Sequence, residues 1–153
     1  MKIALFIALG LVAVVLIIFT IYSVKAQSGN VAKGLSSEGL VSPCGDKPNC
    51  LSTSDERDGF SFESVAVKNG TTVNGISKAL IDGYGPEVMK VEDNYLHLVF
   101  RTGIFKFPDD VEFSIKDGQL LIRSQSRAGR KDFGTNRKRM KDLLSTLKSA
   151  DLI

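Results

Sequence analysis

Three acidic residues lie close together in the segment FPDDVEF: Asp109, Asp110 and Glu112. Asp110 and Glu112 are two positions apart, so on a β-strand their side chains share one face, with backbone origins roughly 6.6 Å apart. Two carboxylates in such an arrangement can act as general acid and general base. The alternative is that both form ion pairs with arginines of neighbouring strands and only stabilise a sheet surface.

A strongly basic segment, residues 123–148, follows the acidic cluster. It contains nine Lys or Arg against two Asp, a net charge of +7, whereas the whole chain has a formal net charge of +3. Its serines and Asn136 are neutral hydrogen-bond donors, and Gly129 and Gly134 allow backbone amides to approach an anion near the start of a helix. The segment therefore predicts an anion site, with a structural network between its arginines and the acidic cluster as the alternative.

A catalytic function is the third hypothesis for these residues. Asp110 or Glu112 would act as acid or base, and Arg123 or Arg127 would stabilise developing charge. Two cysteines and one distant histidine, His97, are too few for a four-ligand zinc site, so the sequence predicts no metal and no cofactor. Nucleic acid is not an expected partner, because only one aromatic residue lies among the basic ones and no stacking platform is visible.

The N-terminus contains a 22-residue run without charge, residues 3–24. As a helix this run would be about 33 Å long, against a hydrocarbon core of roughly 30 Å, so it predicts a transmembrane anchor. The alternative is a cleaved signal segment, because Val24 and Ala26 have the small-residue spacing of a cleavage site. An uncleaved anchor is favoured, since a signal peptide has a shorter apolar region and a more basic start.

The two cysteines of the chain, Cys44 and Cys50, lie in the segment PCGDKPNC. Gly45 and Pro48 between them favour a turn, so a disulfide is sterically reasonable, with free thiols as the alternative. Closing this short loop would stabilise the fold by about 2 kcal/mol on the chain-entropy estimate. Because such a bond persists only in an oxidising compartment, the pair indicates a location outside the cytoplasm, with the periplasm as the expected place.

The chain divides into three parts by composition. Residues 1–25 form the anchor or signal segment, and residues 26–42 contain three Gly, four Ser and no aromatic residue, which is typical of a flexible linker. Residues 43–153 remain as one domain, long enough to bury a two-layer core. Nothing in the sequence indicates an oligomeric state.

Hydrophobic periodicity predicts the elements of this domain. FSFESVAV from Phe60 alternates as a strand, and residues 73–81 have the period of a short helix capped by Thr71 or Thr72 and stopped by Gly83. Four strands follow, in two hairpins whose turns lie at residues 93–94 and 117–118. A helix around Met140–Leu147 ends the chain. This order predicts an α+β two-layer sandwich, an antiparallel sheet with both helices on one face.

The alternation also separates two sheet faces. Leu96, Leu98, Phe100, Val111, Phe113 and Ile115 point one way and form the predicted core. His97, Arg101, Asp110, Glu112 and Arg123 point the other way and place both signs of charge on one surface. This polar face, left open to solvent by the predicted helices, is the candidate site surface.

Three blocks of the sequence carry a family resemblance: PCGDKPNCLSTS, FKFPDDVEF and IRSQSRAGRKDFGTNRKR. Their residues and order resemble the family known as domain of unknown function 1499, over about residues 43–148. The resemblance implies a predicted exported or membrane-attached protein, and it implies no activity. It marks Cys44, Pro48, Asn49 and Cys50, then Asp109, Asp110 and Glu112, and then the candidate ligand-binding residues Arg123, Ser124, Ser126, Arg127, Gly129, Asp132, Gly134, Asn136, Arg137 and Arg139.

The sequence therefore predicts a membrane-tethered domain outside the cytoplasm that binds an anionic ligand, a lipid headgroup or an envelope partner. One alternative is a hydrolase-like enzyme that uses Asp110 and Glu112 with Arg123 and Arg127. The other is a purely structural or protein-interaction module. The three hypotheses differ in whether the arginines and carboxylates saturate one another or leave donors facing a cavity.

Overall fold

A computed structural model describes residues 2–29 and 31–153 of the chain. The first helix, α1, is Lys2–Gln27, and two short strands, β1 (Cys50–Ser52) and β2 (Val65–Ala66), precede helix α2 (Val73–Tyr84). The remaining elements are β3 (Glu87–Glu92), β4 (Tyr95–Arg101), β5 (Pro108–Lys116), β6 (Gln119–Ser126) and α3 (Thr135–Ser149). The predicted fold class, an α+β domain after an N-terminal apolar helix, is confirmed.

The sheet is antiparallel, with strand order β1-β6-β5-β4-β3 and with β2 also paired to β6. Both predicted hairpins form: Glu92 pairs with Tyr95 and Lys116 with Gln119 across two-residue turns. In the second turn Asp117 and Gly118 have φ of 50° and 71°, the left-handed values that such tight hairpin turns require.

The strand predicted from Phe60 is shorter than its alternation suggested. Only β2 remains of it, together with a parallel bridge between Ser52 and Ser61. The reason lies in β6, whose outer edge is shared end to end by β1 and β2. Because each covers part of one eight-residue strand, neither can extend along it.

Both domain helices pack on one face of the sheet. Thr72 caps α2 by accepting a hydrogen bond from the Gly75 amide at 3.1 Å, and the helix ends at Gly85 in the left-handed conformation, two residues beyond the predicted stop. Ile76 and Leu80 of α2 and Met140, Leu143 and Leu147 of α3 are fully buried. They contact the core-facing residues Leu96, Leu98, Phe100, Val111 and Phe113.

The opposite, polar face of the sheet is covered as well. Residues 31–44, which we call the covering segment, cross it. The Lys33 and Gly34 amides donate to Glu112 Oε1 at 3.2 and 2.9 Å, and Ser114 donates to the Gly39 carbonyl at 3.1 Å. Val41 is buried. Most of the segment that the sequence predicts as a linker is therefore in contact with the sheet.

Helix α1 contacts the domain near its C-terminal end. Phe19 stacks on Phe105, with ring centroids 4.8 Å apart, and Ser23 donates a hydrogen bond to the Phe105 carbonyl. Phe105 belongs to the loop between β4 and β5. Among the described residues α1 is the one helix long and apolar enough to cross a membrane, and no residue of its most apolar stretch is buried.

Candidate functional site

The acidic and basic blocks of the sequence meet because β5 and β6 are adjacent. Glu112 lies opposite Arg123, Asp110 opposite Gln125, and Asp109 opposite Ser126. The strand alternation then separates them, since Asp110, Glu112 and Arg123 point to the covering segment while Asp109, Ser124 and Ser126 point to α3. The predicted site residues therefore occupy both faces of the sheet and form three clusters.

The first cluster surrounds Glu112, which is completely buried. Arg123, 1% exposed, donates to Glu112 Oε2 at 2.7 Å, and the Tyr95 hydroxyl donates to Oε1 at 2.7 Å. Arg123 also donates to the Val31 carbonyl at 2.9 Å. Burial and the neighbouring Glu112 charge raise the pKa of Tyr95, which keeps its hydroxyl protonated as a donor.

The second cluster surrounds Asp110, also completely buried. Arg127 donates from Nε and Nη2 to both carboxylate oxygens, at 2.6 and 2.7 Å, and His97 Nε2 lies 2.6 Å from Oδ1. Burial acts to raise the pKa of Asp110, but the hydrogen bonds from Arg127 and His97 outweigh it and hold the pKa below its ordinary value. Asp110 is therefore an anion that two partners saturate.

Arg127 also connects this cluster to the N-terminal helix. Its Nη1 donates to the carbonyl of Gln27, the last residue of α1, at 3.0 Å. The same guanidinium thus holds β5 through Asp110 and α1 through Gln27.

The third cluster lies on the α3 side and is centred on Asn136. The side-chain amide of Asn136 donates to the Asn49 carbonyl at 2.9 Å and to Ser126 at 3.1 Å, and Ser124 donates to its oxygen at 2.7 Å. Asn49 in turn donates to the carbonyls of Ser126 and Gly129 at 3.2 and 3.0 Å. These bonds connect the disulfide loop, β6 and the start of α3.

The other predicted ligand-binding residues also have partners in the domain. Asp132 accepts the amides of Gly134 and Asn136, which closes the turn into α3. Arg137 donates to the carbonyls of Gly59 and Ser61 at 3.2 and 2.9 Å. Arg139 pairs with Asp109 at 2.5 Å. The polar residues of the three sequence blocks thus bond to one another, and the three clusters together form a buried polar network.

One member of this network, Tyr95, was not assigned to the polar face from the sequence. Its register was the signal, since it shares a strand face with the acidic residues of β5. His97 was placed on that face together with Asp110 and Glu112, and the structure brings it to Asp110. The covering segment carried no signal, because its contacts are made by backbone groups that any composition supplies.

Several cationic side chains near the C-terminal end of α1 are not part of this network. Among residues 2–29 and 31–153, the side chains of Lys25, Lys47, Arg130 and Lys131 have no ion-pair partner, and all four residues are exposed. Two large apolar side chains are exposed on the loops 102–107 and 127–134: Phe133 is 95% exposed and Ile104 is 87% exposed. No cluster of three or more His, Cys, Asp or Glu in the described residues has metal-binding geometry.

Two cavities lie between α1 and the domain. The first, of about 490 Å³, is mostly apolar, and its walls include Ile18, Phe19 and Tyr22 of α1 together with Phe107 and Phe133. The second, of about 480 Å³, is lined by Lys25, Lys47, Arg127 and Arg130 among others. Both are in the size range of small-ligand sites, roughly 300–1,000 Å³.

The fold and the network define an α+β domain that follows an apolar helix and is held by a disulfide between Cys44 and Cys50, so the predicted disulfide is confirmed. The chain belongs to the family described as protein of unknown function (DUF1499), whose sequence profile matches residues 40–147. The matched range contains the side chains of all three polar clusters and the end of the covering segment, and α1 lies outside it. No curated protein and no solved structure matches the chain.

Proposed function

We propose that this protein is a membrane-anchored domain that rests on the extracytoplasmic surface of an anionic bilayer. Its membrane-facing surface is formed by two loops, residues 102–107 and residues 127–134, which we call the membrane-proximal loops. The observation that carries the proposal is the position of exposed apolar and cationic side chains on these loops, beside the end of an apolar helix.

The apolar side chains point to an interface with lipid. Ile104 and Phe133 are exposed residues of the two loops, and Phe133 also lines the mostly apolar cavity, so the exposed apolar surface is larger than one side chain and is typical of an interaction site. Phe133 and Phe107 line a cavity with Ile18 and Tyr22, which belong to the uncharged run of α1. If that run spans the bilayer, these aromatic rings lie at the depth of the membrane–water interface, where aromatic residues are enriched.

The cationic side chains favour an anionic surface. Lys106, Arg130 and Lys131 are exposed residues of the same two loops and have no ion-pair partner among the described residues. A basic residue near an anionic membrane surface contributes about 1 kcal/mol to binding. The buried arginines do not contribute to this surface, because Arg123, Arg127 and Arg139 are paired with carboxylates.

The disulfide supports the choice of membrane side. Cys44 and Cys50 are joined, which is typical of proteins in an oxidising compartment. With α1 as an uncleaved anchor, the domain then lies on the extracytoplasmic face of the membrane.

A hydrolase-like function for Asp110 and Glu112 has less support. An acid or base must reach the proton that it transfers. Both carboxylates are completely buried, and each is already bound by an arginine and a second donor. Neither residue lines either of the two cavities.

Tryptophan fluorescence tests the membrane contact, because the chain contains no Trp. The full chain with Phe133→Trp is reconstituted into vesicles of phosphatidylcholine and phosphatidylglycerol, some of which carry brominated acyl chains. We expect blue-shifted emission and strong quenching by the brominated lipid. In vesicles of phosphatidylcholine alone we expect weaker quenching, because the loop cations then lack anionic lipid.

The matched control is Asp93→Trp, at the turn between β3 and β4. This exposed turn lies at the other end of β4, roughly 20 Å from the membrane-proximal loops at about 3.3 Å per residue. We expect its emission to remain that of a solvated indole. Equal quenching of the two variants, or no quenching of Phe133→Trp, would overturn the proposed contact.

A further inference from the structure

We infer that the two cavities beside α1 form one binding site for an anionic phospholipid, with an acyl chain in the apolar cavity and the headgroup in the basic one. The inference rests on the proposed function in one respect, namely that α1 lies in a bilayer. It goes further by assigning a single bound lipid with a defined orientation.

The apolar cavity suits an acyl chain. Three of its wall residues, Ile18, Phe19 and Tyr22, are on the membrane helix itself, so the cavity is bounded on one side by a surface that faces lipid. Its domain side is formed largely by Phe107, Phe133 and small residues of the loop before α3. A lipid chain can therefore enter from the bilayer without crossing water.

Two carboxylates border this cavity and both are committed to the domain. Asp109 is paired with Arg139, and Asp132 accepts the amides of Gly134 and Asn136. They therefore do not give the cavity the character of a cation site. Lys131, which also lines it, has no ion-pair partner among the described residues and lies on the same loop as the basic cavity.

The basic cavity suits a phosphate headgroup. Lys25, Lys47 and Arg130 line it, all three residues are exposed, and no carboxylate is among its lining residues. The fourth cation, Arg127, is held by Asp110 and by the Gln27 carbonyl, so its charge is balanced within the domain and it adds no net charge to the cavity. The three unpaired cations form a site for a phosphate or a phosphodiester.

The two cavities are neighbours and share part of their lining. Tyr22, Ala128 and Gly129 line both, so an apolar space and a basic space meet at one short stretch of the loop and one turn of α1. Gly129 has a φ of 79°, a conformation that residues with a side chain rarely adopt. This arrangement, a tail-sized apolar space next to a cationic one at the end of the apolar helix, matches the two halves of a phospholipid.

Other occupants fit only part of the site. A free phosphate would fill the basic cavity and leave the apolar cavity without a ligand. A neutral lipid would fill the apolar cavity and leave three cations without an anion. An anionic phospholipid satisfies both cavities, and the membrane in which α1 lies supplies it.

Lipid binding to the purified full chain tests the inference directly. The chain is delipidated in a mild detergent, and the binding of phosphatidylglycerol, phosphatidylcholine and glycerol 3-phosphate is compared by native mass spectrometry and by titration. We expect phosphatidylglycerol to bind about tenfold or more tightly than either of the other two, because only it engages both cavities. Equal binding of phosphatidylcholine would overturn the headgroup assignment, and equal binding of glycerol 3-phosphate would overturn the tail assignment.

Two variants locate the lipid. Lys47→Gln with Arg130→Gln removes two exposed cations from the basic cavity, and we expect about a tenfold or greater loss of phosphatidylglycerol affinity. The matched control, Lys141→Gln with Lys148→Gln, removes the same charge from the outer face of α3 and should leave the affinity unchanged. Equal losses in the two variants would mean that only net charge matters and would overturn the site.

The variant Ala128→Phe fills the junction between the cavities. We expect it to weaken phosphatidylglycerol binding while leaving the weak binding of glycerol 3-phosphate unchanged. An unchanged affinity for phosphatidylglycerol would contradict a lipid that occupies both cavities. The lipid-binding experiments and the fluorescence experiment test different proposals. If Phe133→Trp is quenched by brominated lipid but the purified chain binds no phospholipid, the proposed membrane contact stands and only the lipid site is overturned.

Discussion

Asp110 and Arg127 show what a strongly charged sequence signature does in this domain. The carboxylate is completely buried and receives two hydrogen bonds from one guanidinium and a third contact from His97. Taking these charges out of water costs several kcal/mol per ion, which the pair regains only while it is intact. The intact pair therefore contributes little net free energy to the fold, whereas removal of either partner destabilises the fold strongly.

We expect Arg127→Met to lower the free energy of unfolding by about 2–4 kcal/mol, somewhat below the usual 3–5 kcal/mol, because His97 remains beside Asp110. The double variant with Asp110→Asn should recover a large part of this loss, since no charge is then left buried. Urea unfolding of the full chain in detergent at pH 7, followed by circular dichroism, measures both values. The control is Lys138→Met, which removes an exposed i,i+4 pair with Asp142 and should cost under about 0.5 kcal/mol.

The pH dependence of these variants follows from the lowered pKa of Asp110, whose burial is outweighed by the bonds from Arg127 and His97. A carboxyl with a lower pKa in the folded state stabilises the fold above its unfolded pKa of about 3.9, and this contribution is lost as the pH falls through the folded pKa. The difference between wild type and Arg127→Met should therefore shrink as the pH falls below about 4. A constant difference down to pH 2, or a loss equal to that of Lys138→Met, would contradict the buried pair.

The same residues show where reasoning from the sequence succeeds. The alternation in β4 and β5 places His97, Asp110 and Glu112 on one face, and the hairpin turn at residues 117–118 brings Arg123 opposite Glu112. Those are consequences of a period of two and of short turns, which the sequence displays. The sequence does not show whether this face is exposed to solvent, because that depends on the covering segment, which lies nearly 80 positions earlier in the chain.

At the scale of elements, the covering segment decides the character of the polar face. Its Gly- and Ser-rich composition is typical of a flexible linker, and it forms no regular element longer than a single bridge between Leu35 and Val41. It is fixed by backbone groups that bind side chains of the sheet, such as the Gly34 amide on Glu112. Propensity and periodicity carry no information about such contacts, whereas the strongly amphipathic α2 and α3 were predictable from periodicity alone.

We expect the amides of residues 33–40 to exchange slowly with solvent, because several of them are bonded within the fold. The Lys33 and Gly34 amides donate to Glu112, and the Ser36 amide donates to the Leu40 carbonyl at 2.9 Å. Hydrogen–deuterium exchange of the full chain, read by mass spectrometry of peptides, measures this protection. The exposed turn at residues 69–70, which lies outside the membrane-proximal loops, serves as the unprotected reference within the same sample.

The variant Glu112→Gln tests whether the protection comes from these contacts. It leaves only a neutral acceptor for the Lys33 and Gly34 amides, and neutral hydrogen bonds are roughly half as strong as those to an ion. We expect faster exchange in residues 33–40 and little change in the β5–β6 turn at residues 117–118. Exchange of the segment at the rate of an unstructured peptide in the wild type would show that it is a free linker.

At the scale of the whole molecule, the parts of the chain are arranged along one direction. The apolar helix ends at Gln27, the two membrane-proximal loops contact that end, and the turns at residues 93–94 and 117–118 lie at the far end of the sheet. The buried network holds the sheet, the disulfide loop and α3 together between them. At the end where a bilayer would be lie four cations without an ion-pair partner among the described residues, Lys25, Lys47, Arg130 and Lys131, and the exposed side chain of Phe133.

The disulfide makes the compartment of the domain measurable. If the domain lies in an oxidising compartment, Cys44 and Cys50 stay joined, and a mass-tagging alkylating reagent added at lysis should label no cysteine until the protein is reduced. The control Cys50→Ser leaves Cys44 without a partner, so one tag should be added without reduction. The free energy of unfolding of that variant should also be about 2 kcal/mol lower, because the unfolded chain regains the freedom of the opened loop.

Two tags on the unreduced wild-type protein would mean that the domain lies in a reducing compartment. That result would reverse the proposed orientation of α1 and would leave the fold and the lipid site unaffected.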